Sequence, residues 1–246
     1  MMEQKGTCLQ TYIPMRSEPS PAAEMVSSIV FGESYTVLQT KQGFLEIETD
    51  YDHYKGWISA NTFEPYQAFN AVCDALFLEA KSNHEFLLIP CGANLPESGS
   101  FERHGKTFKL ANDLKPTHHL PLSFSLQSLA QKFLNVPYLW GGRCFMGIDC
   151  SGFIQMIFKA HNIALPRDTS QQINCGKAVE YAQAKPCDLV FFSKPEADKV
   201  SHVGLLLDKH KIIHASGVVK IDNLSPNGIQ SEQGLIYKTV AIRSVI

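Results

Sequence analysis

A dominant charge of one sign is absent from this sequence. Net charge is −2, with acids and bases mixed along the chain, so no basic field draws in nucleic acid or an anionic membrane. Long hydrophobic runs are absent too, and nothing approaches the roughly 20 apolar residues of a membrane span. The opening Met1-Met2-Glu3-Gln4-Lys5-Gly6 has no apolar core, so no secretory signal is expected. CxxC pairs are missing. The seven cysteines fall at 8, 73, 91, 144, 150, 175 and 187, an odd and scattered set that argues against a zinc ribbon or a disulfide framework. Free thiols then point to a reducing, cytoplasmic setting. What the chain does have is core: 44% of its 246 residues are hydrophobic, enough for two or three packed units.

Residues 1–65 read as short strands at 28–31, 35–39, 44–48 and 56–59, broken by Gly32 and Gly43, after a Ser17-Glu18-Pro19-Ser20-Pro21 loop. Such spacing suits a small barrel. Residues 66–122 repeat the style more weakly, with strands at 75–80, 86–89 and 107–110, and with His118-His119 as surface imidazoles in a linker. From Ser125 the texture changes. Ser125 is placed to cap a helix carrying Leu126, Leu129, Ala130 and Phe133. A second helix starts at Cys150, where Phe153, Ile154, Ile157 and Phe158 complete an apolar stripe, and Asp149 stands at its N-cap. Asn162 and Pro166 end it. Asp168 can cap a third helix reaching about residue 175. Strands at 189–192, 200–207, 212–215, 218–221 and 236–242 follow, joined by short turns. Helices followed by antiparallel hairpins make an α+β unit.

The chemistry gathers on three residues. Cys150 falls in the first turn of its helix, where unpaired N–H groups and the helix dipole favour a thiolate. A lone cysteine at a helix start is more often a buried structural residue, so position alone does not decide. His202 heads one strand and His214 ends the next, 12 positions on. That is about one strand, a turn and the return, and it sets the imidazoles side by side. If the sheet face packs on the start of the Cys150 helix, nucleophile, base and orienting group converge: Cys150, His202 and His214. A metal hydrolase built on the two histidines is the weaker reading, because no carboxylate or third histidine lies at ligand spacing. No cofactor is expected.

Several motifs resemble known families. Pro14-Met15-Arg16-Ser17-Glu18-Pro19, Phe31-Gly32-Glu33 and Tyr54-Lys55-Gly56-Trp57-Ile58 resemble a bacterial SH3 domain, with Trp57 in its core. Tyr138-Leu139-Trp140-Gly141-Gly142, Asp149-Cys150-Ser151-Gly152-Phe153, Leu165-Pro166-Arg167-Asp168, Ser201-His202-Val203-Gly204 and Ile213-His214-Ala215-Ser216 together resemble the NlpC/P60 cysteine peptidases. With SH3 modules ahead, the layout looks like the γ-D-glutamyl-L-diamino acid endopeptidases. The implied architecture is two small SH3-like β-barrels, 1–65 and a divergent 66–122, then an α+β papain-like domain over 123–246 with helices packed on an antiparallel sheet.

The resemblance implies further roles. The Tyr138 hydroxyl joins the Cys150 backbone N–H at the oxyanion. Ser151 and Asp168 hold a free L-Ala amine, Arg167 orders their wall, and Asp149 shares in the amine or simply caps. Tyr54, with Tyr51 behind it, closes the pocket. The expected substrate and sole partner is a free murein peptide, cut by a monomer after L-Ala-γ-D-Glu in cell-wall recycling. The alternatives are a broader wall amidase or hydrolase on the same scaffold, and an inert SH3 adaptor whose binding to sacculi ignores Cys150→Ala. Cys144, Cys175 and Cys187 read as plain small residues.

Overall fold

The computed structural model describes residues 4–111, 122–231 and 234–246. His118-His119 and most of the expected linker lie outside them. The first unit contains β1 (Gln4–Thr7), β2 (Tyr12–Arg16), β3 (Met25–Val30), β4 (Ser34–Lys41), β5 (Phe44–Thr49) and β6 (Lys55–Ser59). They form one six-stranded sheet in the order β1-β4-β5-β6-β2-β3. Its alternating inward side chains, among them Ile13, Met15, Tyr35, Ile47 and Ile58, make a compact core.

The second unit departs from a continuous barrel. Its strands are β7 (Ala71–Val72), β8 (Phe77–Ser82), β9 (Glu85–Pro90), β10 (Asn94–Leu95), β11 (Ser100–Arg103) and β12 (Lys106–Leu110). They split into a four-stranded β11-β12-β8-β9 sheet and a β10-β7 pair. Its core is completed from both neighbours: Phe31 comes from the first unit, and Cys144 and Met156 from the last. Phe31 and Phe101 pack with ring centroids 4.8 Å apart. Cys73 and Cys91 are buried in this region.

The last unit holds α1 (Leu122–Lys132), β13 (Arg143–Cys144), β14 (Gly147–Ile148), α2 (Cys150–Lys159) and α3 (Thr169–Gln172), then β15 (Lys177–Ala178), β16 (Leu189–Ser193), β17 (Val200–Asp208), β18 (Lys211–Ser216), β19 (Val218–Ser225), β20 (Gly228–Ser231) and β21 (Gly234–Ser244). Two helix boundaries differ from expectation. Ser125 lies inside α1, not at its cap, and its hydroxyl bonds His161. The third helix stops at Gln172, with Ile173 as C-cap, short of residue 175. Asp149 caps α2 as expected, accepting from the Gly152 N–H at 2.7 Å.

The sheet is antiparallel but closes on itself. The order is β15-β21-β16-β17-β18-β19-β20, and β20 also pairs β21. The long β21 thus seals a ring of six strands, which removes two open edges. Both faces of the ring are apolar. Leu189, Phe191, Val203, Leu205, Ile213 and Ala215 pack with the α1 and α2 residues Leu126, Phe133, Phe153 and Ile157. Val190, Phe192, Leu206, Ile212, Leu224 and Ile229 fill the interior. His202 and His214 alternate with the helix-facing set, so their side chains stand on the inner face. The expected packing of their own face on α2 is therefore corrected.

Candidate active site

Gly152 lets α2 seat closely. A Cβ there would lie 2.4 Å from the Gly142 carbonyl oxygen, so the Gly-Gly turn and the helix start fit only without that carbon. Asp149 then gathers the turn. Its carboxylate accepts from Gly152 and, at 2.8 Å, from the Gly141 N–H. Buried Arg167 forks onto the same carboxylate, with Nη1 to Oδ1 at 3.0 Å and Nη2 to Oδ2. Arg167 also donates to the Ser151 hydroxyl at 2.9 Å and to Ser27 Oγ of β3 at 3.1 Å. The expectation that Arg167 orders this wall describes its contacts. Asp149 has its oxygens committed to the cap, the turn and Arg167, which favours its structural role over amine binding.

Replacing Arg167 by lysine keeps the charge and loses the fork. The expected cost is about 1.5–3 kcal/mol, that of charge-assisted hydrogen bonds. Urea unfolding of Arg167→Lys measures it, and an unchanged midpoint would show that the fork contributes nothing.

The cavity beside this wall has a volume of about 750 Å³. Cys150, His202, Tyr138, Ser151, Arg167, Asp168, Asp149 and Tyr54 all line it, so eight of the expected site residues meet in one place. The ninth, His214, stands directly behind His202, with Nδ1 2.7 Å from His202 Nε2. Gly204 makes this possible, since a Cβ there would come within 3.0 Å of His214 Cβ and closer still to Ile212. Tyr51 is elsewhere. Its hydroxyl accepts from the Leu165 N–H at 3.4 Å, and its ring lies under Lys159 Nζ, 4.4 Å from the centroid.

The resting electrostatics overturn one expectation. The Ser151 N–H at the helix start does pull the Cys150 thiol toward ionisation, but it is outweighed. Burial, with Asp149 adding to it, pushes the thiol pKa up to about 11. Its sulfur lies 3.8 Å from Thr169 Oγ1 and is also met by the Val203 backbone, one residue past His202. Burial, reinforced by His214, holds the His202 imidazolium well below its usual range. Both shifts run against a standing thiolate–imidazolium pair. Asp168 is half-buried, and burial raises its carboxyl; the charges acting on it are Arg167, Asp149 and Asp52.

Four neighbours of the site were not singled out by the sequence. Tyr237 of β21 stacks on His202, with centroids 4.3 Å apart and planes 11° apart. Asp222 of β19 accepts from His214 Nε2 at 2.9 Å. Lys194 and Lys199, flanking the β16–β17 connection, line the cavity as well. Asp222 had a usable signal: a strand that turns back at Gly217 pairs His214 with Lys220, and Asp222 is then the next residue on the same face. Tyr237 had none, because only ring closure brings it there.

Comparison with known proteins gives two matches along the chain. Residues 135–237 match the NlpC/P60 family, and residues 15–62 match the bacterial dipeptidyl-peptidase Sh3 domain. A gamma-D-glutamyl-L-lysine dipeptidyl-peptidase of Bacillus subtilis (strain 168) is 44% identical over 84 residues, 34% of this chain and 28% of that protein. One of the same name from Bacillus cereus (strain ATCC 10987 / NRS 248) is 24% identical over 230 residues, 79% of this chain and 68% of that protein. The probable endopeptidase NlpC of Escherichia coli (strain K12) is 34% identical over 105 residues, 40% of this chain and 68% of that protein. The match thus spans under a third of the first relative and about two thirds of the others. A crystal structure of an NlpC/P60 family protein from Bacillus cereus ATCC 10987 shares the fold, with a TM-score of 0.77 at 18% identity, covering 98% of this chain and 99% of that one.

Proposed function

The chain belongs to the NlpC/P60 family of cysteine peptidases, and we propose that it hydrolyses the γ-D-glutamyl–diamino acid bond of free murein peptides bearing an unblocked N-terminal L-Ala. The observation that carries this reading is the shared cavity. A thiol, an imidazole and a half-buried carboxylate line one space, so a peptide can present its amine and its scissile amide together.

His202 takes the Cys150 proton as the sulfur attacks the amide carbon. The Tyr138 hydroxyl and the Cys150 N–H receive the oxyanion. The C–N bond breaks as His202 returns the proton to the leaving amine, and water then cleaves the thioester. Asp168 and the Ser151 hydroxyl receive the substrate ammonium, with Tyr54 closing that end. Lys194 and Lys199 offer cationic complement to substrate carboxylates. The relatives named gamma-D-glutamyl-L-lysine dipeptidyl-peptidase support this bond class. The free cysteines suit a cytoplasmic role in recycling released peptides.

Specificity arises by rejection. A peptide still joined to glycan has no amine, and would leave the Asp168 carboxylate desolvated without a partner, a penalty of about 3–5 kcal/mol for an uncompensated buried charge. Half-burial places the effect toward the lower bound. L-Ala-γ-D-Glu-diaminopimelate is therefore expected to be cut, and its N-acetyl form to be cut roughly a hundredfold more slowly. Mass spectrometry of the products decides it. Equal cleavage of both peptides removes the amine pocket from the proposal.

A further inference from the structure

We infer that Asp222 is a positioning residue: through His214 it fixes His202 in the tautomer whose Nδ1 is free to take the Cys150 proton. The inference rests on the peptidase reading above for the reaction it serves, but not for its geometry. Three distances form one line. Asp222 Oδ2 lies 2.9 Å from His214 Nε2, and His214 Nδ1 lies 2.7 Å from His202 Nε2. Lys220 Nζ stands 3.1 Å from the same Asp222 oxygen.

Donor and acceptor counting does the rest. An ionised carboxylate only accepts, so His214 must carry its hydrogen on Nε2. A neutral His214 then has a bare Nδ1, which only accepts, and His202 Nε2 must be the donor between the rings. The one unprotonated nitrogen left on His202 is Nδ1. Removing the carboxylate frees His214 to reverse. It would donate from Nδ1, His202 Nε2 would accept, and the His202 hydrogen would sit on Nδ1, where the thiol proton has to go. When the reaction does proceed, the proton moves from Sγ to Nδ1, and both other hydrogens of the line stay in place. The His214 N–H, ahead of the Lys220 ammonium, holds the Asp222 carboxyl down to about 2, so it is ionised across the working range.

The charged and titratable groups around the line are few. Lys220 and Asp222 come from β19, Tyr237 from β21, Cys150 from α2 with Asp149 at its cap, and Lys194 and Lys199 from the β16–β17 connection. Lys220 opposes a His202 cation and Asp222 favours it. Asp222 does not itself line the cavity, so substrate affinity should not depend on it.

The test is Asp222→Asn, with Asp222→Glu as the conservative variant. An asparagine can turn its amide N–H toward His214 and hold the wrong tautomer. Expected for Asp222→Asn are a fall in kcat on the order of ten- to a hundredfold with KM unchanged, and a pH–rate limb for His202 displaced to lower pH. Iodoacetamide alkylation of Cys150 should slow, and histidine ¹⁵N resonances should move the His202 hydrogen from Nε2 to Nδ1. Asp222→Glu should recover part of each. Native kcat, native pH limb and native tautomers in Asp222→Asn overturn the inference and leave the peptidase reading intact. If the wild type cuts no peptide while alkylation and tautomers respond as described, the peptidase reading falls and the inference stands.

Discussion

Cys150→Ala should end turnover, with a loss on the order of a millionfold in kcat by analogy with removing the nucleophile of other acyl-transfer enzymes. The reason lies in the resting state of the site. With burial pushing its pKa up to about 11, the site disfavours a standing thiolate that a neighbour could replace. In the proposed mechanism the nucleophile is made when His202 accepts the proton, and His202, its own cation disfavoured by burial, returns it to the leaving amine. Sulfur and ring are thus one device. His202→Ala should cost nearly as much, and the double variant no more than either single one. Peptide affinity should survive, since Asp168, Ser151 and Tyr54 remain in the cavity wall. Product mass spectrometry and calorimetric binding separate the two. Residual cleavage above a percent in Cys150→Ala would sink the cysteine mechanism.

Glu33→Gln should destabilise the whole protein by about 3–5 kcal/mol, the cost of leaving buried charge uncompensated. Glu33 belongs to the first unit and its partners to the last. Arg143 forks onto it at 2.8 and 2.9 Å, and Lys159 Nζ reaches Oε1 at 2.6 Å. All three side chains are at most 5% exposed. Arg143 goes on to Ser28 O at 2.7 Å and to Gln155 at 2.7 Å, and Gln155 donates to Asp52 Oδ2 at 2.7 Å. The amide of glutamine keeps the shape but strands two cations. Burial would raise the Glu33 carboxyl, yet Arg143 and Lys159 together hold it down to about 2, against an ordinary 4.5. A depressed carboxyl stabilises the folded state above the ordinary value and loses that contribution as pH falls toward the folded one. Wild-type stability should therefore decline between about pH 4.5 and 2, and the decline should be smaller in Glu33→Gln. Urea midpoints across that range check both, and a variant as stable as wild type would show that the cluster binds nothing together. KM should also rise, because the same unit carries Tyr54 to the cavity.

The sequence made the centre of the site legible and left its supports hidden, for physical reasons. Cys150 stands at a capped helix start, and His202 and His214 lie within two consecutive strands, where the periodicity is local and readable. Tyr54 and Asp168 were legible through motif context, and both line the cavity. The thiol acidity was misread because the helix dipole is a local feature while burial is not. Glu33 sits in Phe31-Gly32-Glu33 and looks like an exposed turn charge; its partner Arg143 lies 110 residues away. β2 contains Pro14, which argues against a central strand. The structure tolerates it because β2 meets β6 only at Arg16 and Trp57. The divided second unit was beyond reach, since its core borrows Phe31, Cys144 and Met156 from elsewhere.

The strand that seals the ring also brings the tyrosine that lies flat on His202. Because β21 follows every other piece of the site in the chain, a ribosome must thread residue 237 out before the base acquires its stacking partner. A nascent chain caught before residue 237, or one cut off ahead of β21, would present cysteine and histidines to passing peptides without the scaffold that holds them in register. Cutting power would thus arrive only once β21 has been made and has closed the ring, and not gradually before it.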